Sequence, residues 1–216
     1  EKAAIAAGQT TTLRVLARIQ APSPPADAVP RPPLHLALVL DRSGSMNGVP
    51  LEEAKRCARN IIDSLAPDDR AAIFAFDDEV VQVAPLTSAT NKLALSSALA
   101  TIGCGGSTNL HGGWRAGADE LATKLAGKDV HRVILLSDGC ANAGEQDLEM
   151  IAMQCKTMAQ GGVSTSTYGL GDGFNEALML AMAAAGRGNA YYGQTAADLA
   201  SRRQQAHCLT VGLFAR

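Results

Sequence analysis

The sequence predicts an α/β fold in which helices cover both faces of a mostly parallel sheet, and three observations carry that prediction. Strand-like and helix-like stretches alternate along nearly the whole chain, with connections long enough for right-handed β-α-β crossovers. Two apolar runs, Leu34-His35-Leu36-Ala37-Leu38-Val39-Leu40 and Val133-Ile134-Leu135-Leu136, are nearly continuous rather than alternating, as expected of strands buried on both faces. Each run closes on an aspartate, Asp41 or Asp138, followed by small polar residues and glycine. Loops at the carboxyl ends of parallel strands are where open α/β sheets bind ligands.

The elements follow in order. Leu13, Val15, Ala17 and Ile19 fall on one face of a stretch whose other face carries Arg14 and Arg18, a half-buried strand pattern over residues 10 to 19. Six of the nine prolines (Pro22, Pro24, Pro25, Pro30, Pro32, Pro33) then make a stiff, extended connector. Residues 1–33 are therefore assigned to an N-terminal strand and Pro-rich linker, and the main domain to residues 34–206. After the first buried strand, Leu51, Ala54, Ala58, Ile61, Ile62 and Leu65 recur at helical spacing behind Pro50, which a first helical turn tolerates. Pro67-Asp68-Asp69 reads as a turn, residues 71–76 as a second buried strand, Asp77-Asp78-Glu79 as a solvated hairpin tip and residues 80–84 as an antiparallel edge strand.

A modest helix over residues 91–101 runs into Gly103-Cys104-Gly105-Gly106-Ser107-Thr108, and a helix over 111–126 follows with Trp114, Ala118, Leu121 and Leu125 toward the core. Beyond the strand ending at Asp138, the spacing predicts a helix over 145–160 (Leu148, Ile151, Cys155, Met158), a strand over 163–168, a helix over 175–185, a short strand at 190–192 and a helix over 196–206. Residues 207–216 read as a further strand, expected to pair with residues 10–19.

Composition narrows the function classes. The 216 residues are 47% hydrophobic with a formal charge of -2, which describes one domain with a sizeable core and no charge run directed at nucleic acid or a membrane surface. Aromatics make up 4% of the chain, too few for base-stacking platforms. No apolar stretch reaches membrane-spanning length. Five scattered cysteines (Cys57, Cys104, Cys140, Cys155, Cys208) without Cys-x-x-Cys spacing indicate free thiols rather than a disulfide framework or zinc site. The chain opens at Glu1 without a leader pattern, as expected of a fragment of a longer protein. An extracellular, periplasmic or cytoplasmic parent is compatible with this pattern.

Candidate metal ligands concentrate in the loops after the two aspartate-ended strands. Asp41, Ser43 and Ser45 lie in Asp41-Arg42-Ser43-Gly44-Ser45, Thr108 in the glycine-rich loop and Asp138 in Ser137-Asp138-Gly139. All five offer oxygen, which selects hard cations, and hydroxyls with only two carboxylates suit Mg²⁺ (Mn²⁺ or Ca²⁺ as alternatives) with coordination left over for an outside group. The same residue types also cap helices and make turns.

With these residues, the chain resembles a von Willebrand factor type A domain of the bacterial kind. Asp41-Arg42-Ser43-Gly44-Ser45 is similar to that family's metal-ion-dependent adhesion site motif, Thr108 to its separate threonine and Asp138 to its later aspartate. The resemblance covers about residues 34 to 206, and the flanking strands match more loosely the β-rich neighbour of some bacterial members. It implies a Rossmann-like doubly wound sheet and an intact metal site. Ser43 and Ser45 would ligate directly and Asp41 largely through water, while Thr108 and Asp138 exchange direct contact between open and closed forms. The implied role is adhesion or scaffolding: a Mg²⁺ ion offered to an Asp or Glu of a partner protein.

Two other classes stand beside this one: a metal-dependent, phosphatase-like α/β hydrolase, and a structural domain with a vestigial metal site. Each catalytic pattern lacks a necessary residue. A haloacid dehalogenase-like pair would need an aspartate where Ser43 stands, a P-loop would need Ser or Thr where Asp129 follows Gly127-Lys128, and a dinucleotide fingerprint would need glycine where Phe174 stands. A nucleophile elbow at Ser45 would need glycines where Ser43 and Asn47 stand. His111 is read as a helix-start residue rather than a base for Ser45 and Asp138, and Arg42 as an exposed loop arginine.

Overall fold

The computed structural model describes residues 31–193 except 126, 172 and 173. The strand expected over 10–19, the helix over 196–206 and the strand over 207–216 lie outside the described residues. Six strands form one sheet in the order β3-β2-β1-β4-β5-β6: β1 (Leu34–Asp41), β2 (Arg70–Phe76), β3 (Val80–Ser88), β4 (Val130–Ser137), β5 (Val163–Leu170) and β6 (Arg187–Gly193). All neighbours pair in parallel except β2 with β3. The helices are α1 (Val49–Ser64), α2 (Lys92–Ala100), α3 (Leu110–Ala122), α4 (Leu148–Gln160) and α5 (Glu176–Ala185), with single 3-10 turns at Gly44–Met46 and Ala89–Asn91. This is the doubly wound α/β arrangement expected, with its one antiparallel edge pair.

The two-faced burial of β1 explains why its sequence does not alternate. Leu34, Leu36, Leu38 and Leu40 pack with residues of α1 and α2 on one side. Ala37 and Val39 face the other side, in a second core built by α3, α4 and α5 around Trp114. Small residues let α3 sit close to this second face: a Cβ on Gly117 would lie 2.6 Å from Val39 Cγ2 and 3.3 Å from Ala37 Cβ. Gly117→Val would improve nothing there. It adds volume against a β-branched side chain that cannot retreat, so overpacking of about 1–3 kcal/mol outweighs any gain in helix propensity over glycine. A drop of about 2 kcal/mol in urea unfolding free energy is the expected result, with the fold retained.

Several element ends differ from the sequence reading. α3 stops at Ala122, capped at Thr123, so Leu125 lies past the helix and is 43% exposed instead of facing the core. α4 begins only at Leu148, because the Asp147 side chain accepts the Met150 N–H and sets the cap there; Leu148, expected inside, is 37% exposed. β3 extends to Ser88 through a bulged register against β2, and β6 is longer than the three residues expected.

β5 is buried on both faces despite its Ser and Thr content. Its hydroxyls are used inside the core: Trp114 Nε1 donates to Thr165 Oγ1 (3.0 Å), and Thr167 Oγ1 donates to the Met179 carbonyl (2.9 Å). At the amino ends of β1 and β4, His35 and His131 are register partners whose rings meet edge to face at 4.8 Å. Burial pushes the His35 imidazole down and the neighbouring His131 pushes it further, against the opposing pull of Asp129.

Candidate metal centre

The carboxyl ends of β1 and β4 bring Asp41 and Asp138 to one edge of the sheet, since β1 and β4 are adjacent and in register through Leu40 and Leu136. Asp41 is fully buried. Its Oδ1 accepts the Ser43 N–H (2.8 Å) and its Oδ2 accepts the Ser137 hydroxyl (2.5 Å). Burial pushes its carboxyl up to about 6; the Ser137 and Ser43 hydrogen bonds oppose that rise, and the nearby Asp138 adds to it. An acid desolvated this strongly, with a second acid at hand, is a place where a cation would lower the energy.

The donors around it are hydroxyls. Ser43 Oγ and Ser45 Oγ lie 3.3 Å apart across the 3-10 turn at Gly44–Met46, with Ser43 buried and Ser45 exposed. Thr108 is buried just ahead of α3, whose N-cap Asn109 accepts the Gly112 N–H. Thr108 is clamped through its main chain to the Asp138 loop: its N–H donates to Asn142 Oδ1 (2.7 Å) and its carbonyl accepts the N–H groups of Asn142 (3.1 Å) and Ala143 (3.2 Å). Asp138 Oδ1 accepts the Cys140 N–H (3.0 Å), and the Asp138 carbonyl accepts from Asn175 at the start of α5 (2.8 Å). The loops of Asp41 and Thr108 are joined directly, Gly44 N–H to the Gly106 carbonyl (2.8 Å) and Gly105 N–H to the Arg42 carbonyl (2.6 Å).

Three separate loops are thus tied into one cluster. Ser43 and Ser45 meet through their side chains, Asp41 and Asp138 through their charges, and Thr108 joins by way of its backbone. Among the described residues there is no group of three or more His, Cys, Asp or Glu side chains arranged to hold a metal; the donors gathered at this edge are mostly hydroxyl oxygens, the donor type that hard cations take.

Two readings of the sequence are corrected here. Asp77 is not part of a solvated tip: it is 4% exposed and ion-paired with Arg42 at 3.0 Å. Arg42 accordingly is a half-buried brace, not an exposed loop arginine. His111 Nε2 is paired with Gln154 Oε1 of α4 at 3.0 Å, which occupies it away from Ser45 and Asp138. Cys104 and Cys140 are free and exposed, each with Sγ against the carbonyl of a site residue, Ser43 (3.4 Å) and Asp138 (3.8 Å) respectively.

Sequence reasoning passed over the roles of Ser137 and Asn142. Ser137 had a signal, since a hydroxyl beside Asp138 at the end of a buried strand lies level with Asp41 on the neighbouring strand. Asn142 had none, because its role depends on how the loop after Asp138 folds back.

The von Willebrand factor type A domain model matches residues 35–205. An uncharacterized protein of Synechocystis sp. is 35% identical over 192 residues, covering 86% of this chain and 43% of that protein. The chain therefore spans less than half the length of this relative. Among solved structures, a von Willebrand factor type A protein from Catenulispora acidiphila superposes with a TM-score of 0.69 at 20% identity, covering 85% of this chain and 43% of that one. Proximal thread matrix protein 1 from the mussel byssus, with a zinc-occupied metal-ion-dependent adhesion site, gives 0.65 at 19% identity over 85% of this chain and 46% of its own. These two likenesses are likenesses of fold.

Proposed function

The chain belongs to the von Willebrand factor type A family, and we propose that it is a metal-dependent protein-binding module with no catalytic step. The observation that carries this reading is the Asp41 carboxylate, fully buried among hydroxyl donors with Asp138 beside it. Arg42, the nearest cation in sequence, directs its guanidinium to Asp77 instead. Ser43 and Ser45 would hold a divalent cation through their hydroxyls, Asp41 and Asp138 would balance its charge, and Thr108 would close the set. Mg²⁺ suits the donors best, with Mn²⁺ and Ca²⁺ as alternatives; the zinc-occupied mussel site supports a divalent ion in this place. When bound, the ion supplies an incompletely neutralised positive centre that attracts an outside carboxylate. Ser45, exposed at the rim, leaves the approach open to an Asp or Glu of a partner.

Peptide arrays in which single acids are replaced by their amides test this directly. Capture by the immobilised domain should require both Mg²⁺ and one particular Asp or Glu, and the domain should show no phosphatase activity. Capture that survives a chelator would overturn the reading.

A further inference from the structure

We infer that Asp77, braced by Arg42, is a positioning residue that holds the Thr108 loop against the Asp41 loop and so sets metal affinity without touching the metal. This rests on the metal-site reading above. Asp77 follows the last residue of β2 and is nearly buried, yet every group it binds belongs to a loop of the site or to its own turn. Its Oδ2 accepts the Gly106 N–H (3.2 Å), its Oδ1 accepts the Glu79 N–H (3.0 Å), and its carbonyl accepts the Asn109 N–H (2.7 Å). Arg42, between Asp41 and Ser43, donates from Nη2 to the same carboxylate at 3.0 Å, while its own N–H donates to the Phe76 carbonyl (2.8 Å). One residue therefore grips both sides of Thr108, its carboxylate at Gly106 and its carbonyl at Asn109, and the same carboxylate holds Arg42 between Asp41 and Ser43.

The glycines fit this arrangement. A Cβ on Gly105 would overlap the Asp77 carboxylate, and one on Gly106 would overlap that of Asp78. The loop that carries Thr108 can lie this close to the β2–β3 turn only where it has no side chains. Asp77→Asn removes the charge that holds Arg42 and leaves one acceptor oxygen for the Gly106 and Glu79 N–H groups where the carboxylate has two, so the common anchor of the Thr108 and Asp41 loops is weakened. Groups that orient ligands without contacting the metal typically alter affinity 10- to 100-fold when replaced.

The test is Mg²⁺ titration by calorimetry, paired with thermal unfolding in chelator, on the whole 216-residue chain. Asp77→Asn and Arg42→Gln should each raise the Mg²⁺ Kd about 10- to 100-fold, and the double variant should be no weaker than Asp77→Asn alone, because the pair acts as a unit. Leu121→Ala, in the core at the far end of α3, should lower the melting temperature at least as much with Kd unchanged; an equal change in Kd there would reduce the Asp77 effect to general stability and overturn the inference. Wild-type affinity in Asp77→Asn, with Asp41→Asn unable to bind, would overturn the inference and leave the metal site standing. Failure of the wild-type chain to bind Mg²⁺ would overturn both. If Asp77→Asn does not fold, Arg42→Gln decides by the same criterion.

Discussion

Replacing Asp41 with asparagine is expected to weaken Mg²⁺ binding at least 100-fold while leaving the metal-free protein as stable as the wild type or slightly more so. Asparagine keeps the shape and reproduces both hydrogen bonds. Its carbonyl oxygen can accept the Ser43 N–H, and its amide can donate to Ser137 Oγ, which has a lone pair to spare after accepting the Gly139 N–H. What it removes is the charge, and burial is the main cause of the raised Asp41 pKa. Losing a desolvated charge relieves a cost, so the fold should not suffer. A hundredfold loss corresponds to about 2.7 kcal/mol of binding free energy.

Asp41→Ala separates the two effects. It strands the Ser43 N–H and the Ser137 hydroxyl, at about 1–3 kcal/mol each before relaxation, so metal binding and metal-free stability fall together. Calorimetric titration with Mg²⁺ and urea unfolding in chelator read both quantities. An asparagine variant that binds Mg²⁺ as the wild type does would remove Asp41 from the site.

Much of this site is legible in the sequence because local rules and global fold agree there. The run from Leu34 to Leu40 has too little polarity for any half-exposed element, and a strand buried on both faces must deliver Asp41 to a sheet edge. The same logic places Asp138, and parallel pairing then makes the two neighbours. Long-range polar contacts are less legible. Asp77 and Arg42 each have an ordinary local explanation, a turn acid and a loop cation, and only the register of β1 beside β2 brings them to 3.0 Å. The partners of the β5 hydroxyls are likewise long-range: Trp114 binds Thr165, and the Met179 carbonyl binds Thr167, in the core. Leu125 continues a helical period past the end of α3, and Leu148 falls in the exposed first turn of α4; capping fixes both helix ends.

Asp69 shows how far a residue read as one half of a turn can exceed that role, and its removal should have the largest effect on folding. It is fully buried. Its carboxylate accepts from Arg31 Nη1 (2.7 Å) and Nη2 (2.5 Å), from the Leu34 N–H at the start of β1 (2.9 Å) and from the Ala66 N–H after α1 (2.7 Å). Its carbonyl accepts the Ala89 N–H (2.9 Å), which ties the end of β3 to the same point. Asp69→Ala strands two main-chain donors at about 1–3 kcal/mol each, and the Arg31 pair, partly open to solvent, contributes less than about 1 kcal/mol. A loss of about 3 kcal/mol is expected, a large share of the roughly 5–15 kcal/mol that holds a domain folded.

The pH dependence identifies the charge. Burial alone would raise the Asp69 carboxyl, but the hydrogen bonds from Arg31, Leu34 and Ala66 together hold it below its ordinary value of 3.8. The folded chain therefore keeps Asp69 ionised to lower pH than the unfolded chain does. Its contribution is complete above 3.8 and is lost as pH falls from there through the lower folded-state value. Urea unfolding of the wild type and Asp69→Asn should show a gap at pH 7 that narrows once the pH drops below 3.8. A gap of constant size down to pH 2 would mean that Asp69 acts through shape and neutral hydrogen bonds alone, and that the ion pair with Arg31 adds nothing to the fold.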